Sequence, residues 1–151
     1  MQDKSVSNQF RPAILQTFGD IAQAIGQHFE TYLQVVGQVL QAAANVTTNE
    51  NSAFEMLDYI ISLREGIMDA WSGAILAMKG VKRMYATCSI YQADLSEADL
   101  LTPFIEPIFN ILQVISQDPN RSEALLRSAM GVVGYALTIL VLCPKITNTI
   151  Q

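Results

Sequence analysis

The stretch RPAILQTFGDIAQAIGQHFETYL, residues 11–33, decides the fold class. Its apolar residues recur every three or four positions up to Gly26, which is the spacing of an amphipathic α-helix. Pro12 stands in the first turn, where a helix tolerates proline, and Gly26 is suited to end the helix. A second apolar stripe starts almost at once, at Phe29, and runs to about Ala44. Because so short a link leaves little freedom, we expect the two helices to lie roughly antiparallel.

The remainder of the chain also has helical periodicity, and no segment alternates with period two over several strands. We therefore predict an all-α protein. Pro107 lies deeper than the first turn of its helix, so we expect a kink or a restart there. Asp118-Pro119-Asn120 has the composition of a turn. The predicted later helices are 53–78, ended by Gly80, a helix from Ser96 or Asp99 to about Ser116, and a helix from Ser122 and Glu123 to about Leu142.

Composition excludes several classes of protein. The chain has 151 residues, of which 50% are hydrophobic and 15% charged, so it is long enough for one domain with a core and is not disordered as a whole. A formal charge of -5 argues against a nucleic-acid-binding surface. The single histidine, His28, and the two cysteines, Cys88 and Cys143, have no neighbours at ligand spacing. We expect no metal, no cofactor and no enzymatic activity.

One uncharged segment, residues 129–143, needs a membrane check. It is shorter than the ~20 residues that cross a bilayer as a helix, so we expect a buried helix and no membrane insertion. A small helical protein anchored by this segment is retained as an alternative.

Three predicted helices share a small-residue pattern midway along, which suggests a repeat. The pattern reads FGDIA at 18–22, SGAIL at 72–76 and VGYAL at 133–137, with its glycines 54 and 61 residues apart. A glycine inside a helix costs roughly 1 kcal/mol relative to alanine. We therefore expect Gly19, Gly73 and Gly134 each to let a neighbouring helix approach closely.

The longest predicted helix carries an acidic stripe. Its four carboxylates are separated by three, seven and four residues, which places them on one helix face, opposite Ile60, Ile67 and Trp71. In a stack of helix pairs this face looks outward from its layer. The stripe is either a binding surface for a basic partner or a solvated helix face. With two serines that continue it, the acidic stripe consists of Glu55, Asp58, Ser62, Glu65, Asp69 and Ser72.

These segments resemble a known family. Residues 11–33, 55–80 (EMLDYIISLREGIMDAWSGAILAMKG) and 116–134 (SQDPNRSEALLRSAMGVVG) are similar to the C-terminal HEAT repeats of the importin-β (karyopherin-β) family, fungal members in particular. The chain departs from the family's pattern at Tyr135, where an acidic residue is usual, and over 81–101.

The resemblance implies a HEAT-repeat α–α superhelix, a solenoid of antiparallel helix pairs, of which this chain would be a fragment with about two and a half pairs. Its expected organisation is a frayed segment at 1–10, the repeat segment at 11–143, irregular at 81–101, and a tail at 144–151. The chain would start on an inner helix whose outer partner is missing, and each end of the stack would leave apolar surface bare.

The resemblance further implies what the chain binds. The acidic stripe would line a concave groove that receives an importin-α-type adaptor or a basic cargo signal. Phe-Gly nucleoporins would enter clefts between outer helices, with Phe29, Leu33 and Val36 as candidate lining residues; packing in the core is the simpler role for these three. Ran GTPase would bind elsewhere in the parent protein, which would act in the cytoplasm, the nucleus and the nuclear pore. The alternative is a helical-repeat scaffold with another partner.

Overall fold

The computed structural model of the protein describes residues 11–46, 54–85 and 96–142, and all regular structure in these ranges is helical. The predicted all-α class is therefore confirmed. The helices are α1 (Pro12–Ile25), a 3₁₀ helix (Gly26–Phe29), α2 (Glu30–Ala44), α3 (Phe54–Tyr85), α4 (Ser96–Gln117) and α5 (Glu123–Leu142).

The first helix ends where the sequence predicts. Pro12 occupies its first turn, and Gly26 caps its last turn with φ 57°, a conformation that favours glycine. The backbone N–H of Gly26 donates a hydrogen bond to the carbonyl of Ala22. The 3₁₀ helix that follows replaces a loop and leads directly into α2. The link between the two helices is thus a single tight corner.

Contacts along the helices show two layers. Gly66 on α3 lies against Pro12, and Gly73 lies against Gly19, so α1 and α3 run parallel. The Ser122 side chain at the start of α5 bonds to Glu65, and further along Gly131 lies near Ser72, so α5 is also parallel to α3. Helices α1, α3 and α5 therefore form one layer, with α3 in the middle.

The second layer contains α2 and α4. Phe104, early in α4, packs on Trp71 of α3. Asp118, just after the end of α4, pairs with Arg64, which precedes Trp71 on α3. Helix α4 therefore runs antiparallel to α3. Phe104 also fills the space over Gly37 of α2. Gly37 lies under Phe104, near Trp71, whereas Ala44 further along α2 shares a cleft with Arg64, so α2 also runs antiparallel to α3. The predicted antiparallel pairing is therefore confirmed.

Close backbone approach fixes the spacing of α1 and α3. A methyl group added at Gly73 would lie 2.4 Å from the Cα of Gly19, and one added at Gly19 would lie 2.7 Å from the carbonyl oxygen of Asp69. Real Cβ atoms do not come this near to backbone. The contact joins residues 19 and 73, which are 54 positions apart. This is the offset between α1 and α3, their register, that the repeat pattern predicts. The prediction for these two glycines is confirmed.

The same prediction is wrong for Gly134. This residue is exposed, and a methyl group there would have no atom of the described residues within 4 Å. Instead Gly131 faces Ser72: a methyl group added at Gly131 would lie 3.7 Å from the Ser72 hydroxyl oxygen, an ordinary contact distance. The pairs Glu65–Ser122 and Ser72–Gly131 set the α3–α5 register at 57 to 59 residues rather than 61. The shorter register turns Gly134 away from the contact.

One predicted helix boundary is also wrong. Helix α3 passes through Gly80 and ends at Tyr85, because one glycine costs only about 1 kcal/mol and does not end a helix by itself. Helix α4 continues through Pro103 and Pro107, so it does not restart there. The other expectation for Pro107, a kink, stays a prediction. The segment 81–101, predicted to be irregular, is thus helical at both ends, and its centre at 86–95 lies outside the described residues.

The connection between α4 and α5 is a tight turn stabilised by side-chain hydrogen bonds and an ion pair. The carboxylate of Asp118 accepts a hydrogen bond from the backbone N–H of Asn120 at 2.9 Å and pairs with Arg64 of α3. Arg121 donates to the carbonyl oxygens of Ser116 and Asp118. Burial alone would raise the pKa of the Asp118 carboxyl, but the Asn120 bond and the two guanidinium groups outweigh it, so the pKa is below its ordinary value.

The start of α5 is the predicted one. Ser122 accepts a hydrogen bond from the backbone N–H of Leu125 at 2.9 Å, the geometry of an N-cap. Residues 129–143, considered as a membrane anchor, overlap this helix. Within the described ranges, no helix is both long enough and apolar enough to cross a membrane. The predicted frayed start at 1–10, the cysteines and the tail at 144–151 lie outside those ranges.

Candidate protein-binding site

The acidic stripe lies on the least buried face of α3, between α1 and α5. Asp58 and Ser62 are exposed, and Glu65, Asp69 and Ser72 are half-buried. Glu55 belongs to the first turn of α3, and its side chain is outside the described residues. The stripe therefore faces away from α2 and α4, as the outward face of its layer.

Neighbouring helices hold two of the stripe carboxylates in place. The side-chain amide of Gln16 on α1 donates a hydrogen bond to Asp69 Oδ2 at 3.0 Å. On the other side, the hydroxyl of Ser122 donates to Glu65 Oε1 at 2.5 Å. Both donors are neutral, so they orient the carboxylates without cancelling their charge.

The stripe has no basic partner within the described ranges, where the ion pairs are Arg64–Asp118 and Arg127–Glu123. Arg64 is on the same helix, but its guanidinium points toward the α4–α5 turn, about 120° around the helix from Asp58. The stripe is therefore a continuous negative surface.

One further carboxylate was missed in the sequence. Asp20 is exposed on α1 and lies one turn after Gln16, on the same side of that helix. Because Gln16 reaches Asp69, Asp20 extends the stripe onto α1. Only the pairing of α1 with α3, through Gly19 and Gly73, reveals this, since the two segments are 54 residues apart.

The structure buries all three residues that were considered for a Phe-Gly cleft. Phe29, Leu33 and Val36 are 2%, 3% and 8% exposed and belong to the hydrophobic core. Trp71, most simply a core residue, is also buried, at 3% exposed. The binding role of Phe29, Leu33 and Val36 stays a prediction, and in this conformation none of them offers surface to a ligand.

A cleft does exist between α2 and α4, nearer the end of α2. Its volume is about 150 Å³, and its floor is apolar, with Trp71 and Ile67 of α3 at its base. Amides and the Arg64 side chain form its polar part. We call it the α2–α4 cleft; it is lined by Leu40, Gln41, Ala44, Asn45, Arg64, Ile67, Trp71, Pro107, Asn110, Ile111 and Val114. No local pattern predicts this cleft, because its walls come from three separated segments.

Within the described ranges, neither the stripe nor the cleft has the composition of a metal site. Among the described residues, no group of three or more histidine, cysteine or acidic side chains is placed to hold a metal ion. His28 is exposed at the α1–α2 corner, as expected for a surface residue. The two surfaces are suited to binding other polypeptides, one by charge and one by an apolar pocket.

Comparison with known proteins agrees with the two-layer helix stack. A family model described as "Importin subunit beta-1-like, TPR repeats" matches residues 1–139. The chain belongs to the importin-β family. The family resemblance stated from sequence is therefore confirmed, and with it the solenoid of helix pairs.

Individual members of the importin-β family are clearly similar. Importin subunit beta-1 of Schizosaccharomyces pombe is 36% identical over 134 residues, which is 89% of this chain and 14% of the relative. The proteins of the same name from Saccharomyces cerevisiae and Arabidopsis thaliana are 31% and 30% identical, each with 89% of this chain and 14% of the relative covered.

A solved structure of importin β, crystallised in a polyethylene glycol condition, has a TM-score of 0.76 and 50% identity. The match covers 93% of this chain and 15% of that one. The chain thus spans about one seventh of the length of its importin-β relatives.

Proposed function

We propose that the chain is a segment of a nuclear transport receptor, and that its acidic stripe binds the basic segment of an adaptor of the importin-α type or of a cargo signal. The observation that carries the proposal is the exposed face of α3, where Asp58, Glu65 and Asp69 lie together without a basic partner among the described residues. Membership of the importin-β family supports the transport role.

The geometry suits a basic helix or an extended basic segment laid along α3. The charges of Asp58, Glu65 and Asp69 are two turns and one turn apart, and they extend over roughly 16 Å at 1.5 Å per residue. Gln16 and Ser122 fix the carboxylates in advance, which lowers the entropy lost on binding. Asp20 widens the negative surface on the side of α1.

Replacing Asp58, Glu65 and Asp69 together by serine tests the stripe. Exposed ion pairs contribute about 0.2–1 kcal/mol each, so affinity for a basic adaptor peptide should fall between about threefold and a hundredfold. Fluorescence anisotropy at low salt measures the affinity. The difference in affinity between the triple variant and the unaltered chain should shrink as salt screens the charges. Glu106→Gln, a neutralised carboxylate on exposed α4, is the control. Unchanged affinity of the triple variant at low salt would remove the stripe from the proposal.

The α2–α4 cleft supports a second binding role, reception of a phenylalanine ring from a Phe-Gly nucleoporin. A cavity of about 150 Å³ is the size that accommodates benzene, and this one has an apolar floor. Gln41, Asn45 and Asn110 at its edge offer hydrogen bonds to the peptide backbone. This site is one to two turns further along α2 than Leu33 and Val36.

Trp71 lines the cleft and is the single tryptophan of the sequence, so its fluorescence reports on binding there. A Phe-Gly peptide should change the Trp71 emission, and the same peptide with alanine for phenylalanine should not. Ala44→Leu fills the cleft and should abolish the change, whereas Ala42→Leu, exposed on the same helix, should preserve it. Binding that is equal in both variants would place the ring elsewhere.

The transport role also predicts where the parent protein acts. A receptor with these two surfaces would pass between cytoplasm and nucleus through the nuclear pore, and Ran GTPase would bind it outside this segment. Localisation of the full-length protein, with and without the serine substitutions in the stripe, tests this part.

A further inference from the structure

The α2–α4 cleft contains one charged side chain, and it is less exposed than the other polar residues there. Arg64 is the single charged residue among those that line the cleft. Its side chain is 16% exposed, whereas the three amide residues at the edge, Gln41, Asn45 and Asn110, are exposed. The cleft therefore places a half-buried cation beside the apolar floor that Ile67 and Trp71 form.

An ion pair holds the Arg64 guanidinium in place. Its Nη1 pairs with Oδ2 of Asp118, whose side chain is 17% exposed. Asp118 is itself fixed, because its Oδ1 accepts a hydrogen bond from the backbone N–H of Asn120 at 2.9 Å. A planar guanidinium held at one end keeps its other N–H groups in a set direction, so little entropy is lost when they bind an acceptor.

The ion pair uses only part of the hydrogen-bonding capacity of Arg64. A guanidinium carries five N–H groups, two on each Nη and one on Nε. The pair with Asp118 is made through Nη1, so the N–H groups of Nη2 and Nε are not part of it. A charged donor that is largely shielded from water binds an acceptor more strongly than an exposed neutral amide does. Arg64, rather than the amides at the edge, should therefore select the ligand.

The charge balance favours a neutral acceptor. The carboxylate of Asp118 already compensates the charge of Arg64, and a second carboxylate placed against Arg64 would lie close to Asp118 and be repelled. A peptide carbonyl oxygen carries no net charge and still accepts well from a guanidinium. Such a carbonyl accompanies every aromatic residue of a peptide, because the carbonyl carbon is bonded to the Cα that carries the side chain. A ring that enters the cleft therefore brings an acceptor with it.

We propose that Arg64 is the specificity-determining residue of the α2–α4 cleft, and that its guanidinium donates a hydrogen bond to the main-chain carbonyl oxygen of the aromatic residue whose ring enters the cleft. The inference rests on the aromatic-binding role proposed above, and it adds how the cleft distinguishes a ring in a peptide from a free ring. An aromatic molecule without a carbonyl acceptor fills the apolar floor but gains no bond from Arg64, so it binds more weakly.

A thioamide in place of the Phe–Gly peptide bond tests the inference. Sulfur accepts hydrogen bonds more weakly than oxygen, whereas the ring and the N–H are unchanged. The affinity of the unaltered chain for the thioamide peptide should be about tenfold lower than for the normal peptide. Arg64→Met removes the donors and should bind both peptides equally, as measured by anisotropy of labelled peptides. Because the readout is the ratio of two affinities in one protein, any general effect of the substitution on the shape of the cleft cancels.

Two further variants complete the comparison. Arg64→Lys keeps a positive charge for Asp118, which protects the fold, but lacks the planar fork, so its affinity ratio should also be close to one. Arg121→Met is the matched control, since Arg121 bonds to carbonyl oxygens of the same turn and is not among the residues that line the cleft. This control should keep the tenfold ratio.

The outcomes separate this inference from the proposed function. If the unaltered chain bound both peptides equally, or if the tenfold ratio persisted in both Arg64 variants, the role of Arg64 would be overturned and the cleft would remain a ring-binding site. If the normal peptide neither bound the unaltered chain nor changed the Trp71 emission, the proposed role of the cleft would fall, and this inference with it.

Discussion

The contact of α1 with α3 predicts opposite effects for two glycine-to-alanine substitutions. In Gly73→Ala the new methyl group would lie 2.4 Å from the Cα of Gly19. Carbon atoms in contact prefer about 3.5–4.0 Å, so the two helices must move apart by about 1 Å. The obstacle is backbone and cannot rotate away, so we expect the upper part of the range for overpacking, about 3 kcal/mol. Because alanine is a better helix former than glycine, it offsets about 1 kcal/mol of this cost. The free energy of unfolding should therefore fall by about 2 kcal/mol.

Gly134→Ala adds the same methyl group at a position where no neighbouring backbone of the described residues lies close to it. Its methyl group would have no atom of the described residues within 4 Å, so only the helix preference remains. The free energy of unfolding should rise by about 0.5–1 kcal/mol. The two variants should therefore differ by about 3 kcal/mol, which corresponds to roughly 6–12 °C in Tm for a chain of this size.

Urea unfolding followed by circular dichroism measures both variants, at a concentration low enough that the chain is monomeric. A Gly73→Ala variant as stable as the unaltered chain would refute the close approach of the helices. Stabilisation of both variants would show that α1 and α3 are further apart than the structure places them. Gly19→Ala should behave like Gly73→Ala, because its methyl group would lie 2.7 Å from the carbonyl oxygen of Asp69.

Three further outcomes are expected. Asp118→Asn should lower the free energy of unfolding by about 1–3 kcal/mol at neutral pH. Because the folded-state pKa of Asp118 is lowered, its stabilisation exists above the unfolded pKa and is lost as pH falls below about 4. In urea unfolding across pH, the stabilities of the variant and the unaltered chain should therefore converge at low pH. Ser122→Ala should cost about 1 kcal/mol through the lost N-cap, and Ser122→Thr should retain most of it, measured in the same way. Phe104→Ala should remove about 2–4 kcal/mol and shift the Trp71 emission, because the two rings are 5.4 Å apart.

Local patterns predicted the helices well, and contacts between helices account for what they missed. The cap at Gly26, the turn at Asp118 and the start of α5 at Ser122 each depend on a few adjacent residues, and all three are confirmed. Gly80 and Pro107 also carry local signals, but α3 and α4 are helical on both sides of them, despite a cost of about 1–3 kcal/mol in a helix interior.

For the candidate binding surfaces, too, only what depends on local sequence could be predicted. The acidic stripe could be predicted because helix geometry alone brings its residues to one face. Asp20 and the α2–α4 cleft could not, since each depends on which helix packs beside which, and on the register. The repeat pattern predicted the α1–α3 register of 54 correctly because Gly19 and Gly73 are both in the contact. It failed at α5, where Gly131 rather than Gly134 faces α3.

Arg64 determines the electrostatics of both faces of α3. It lies half-buried between the stripe and the core, next in sequence to Glu65 of the stripe. Asp118, fixed by the α4–α5 turn and by its bond from Asn120, draws the guanidinium to the side of the α2–α4 cleft. The same ion pair thus leaves the stripe negative and places a positive group beside an apolar cavity. A basic segment and an aromatic ring would then be received on different sides of one helix, without competing for Arg64.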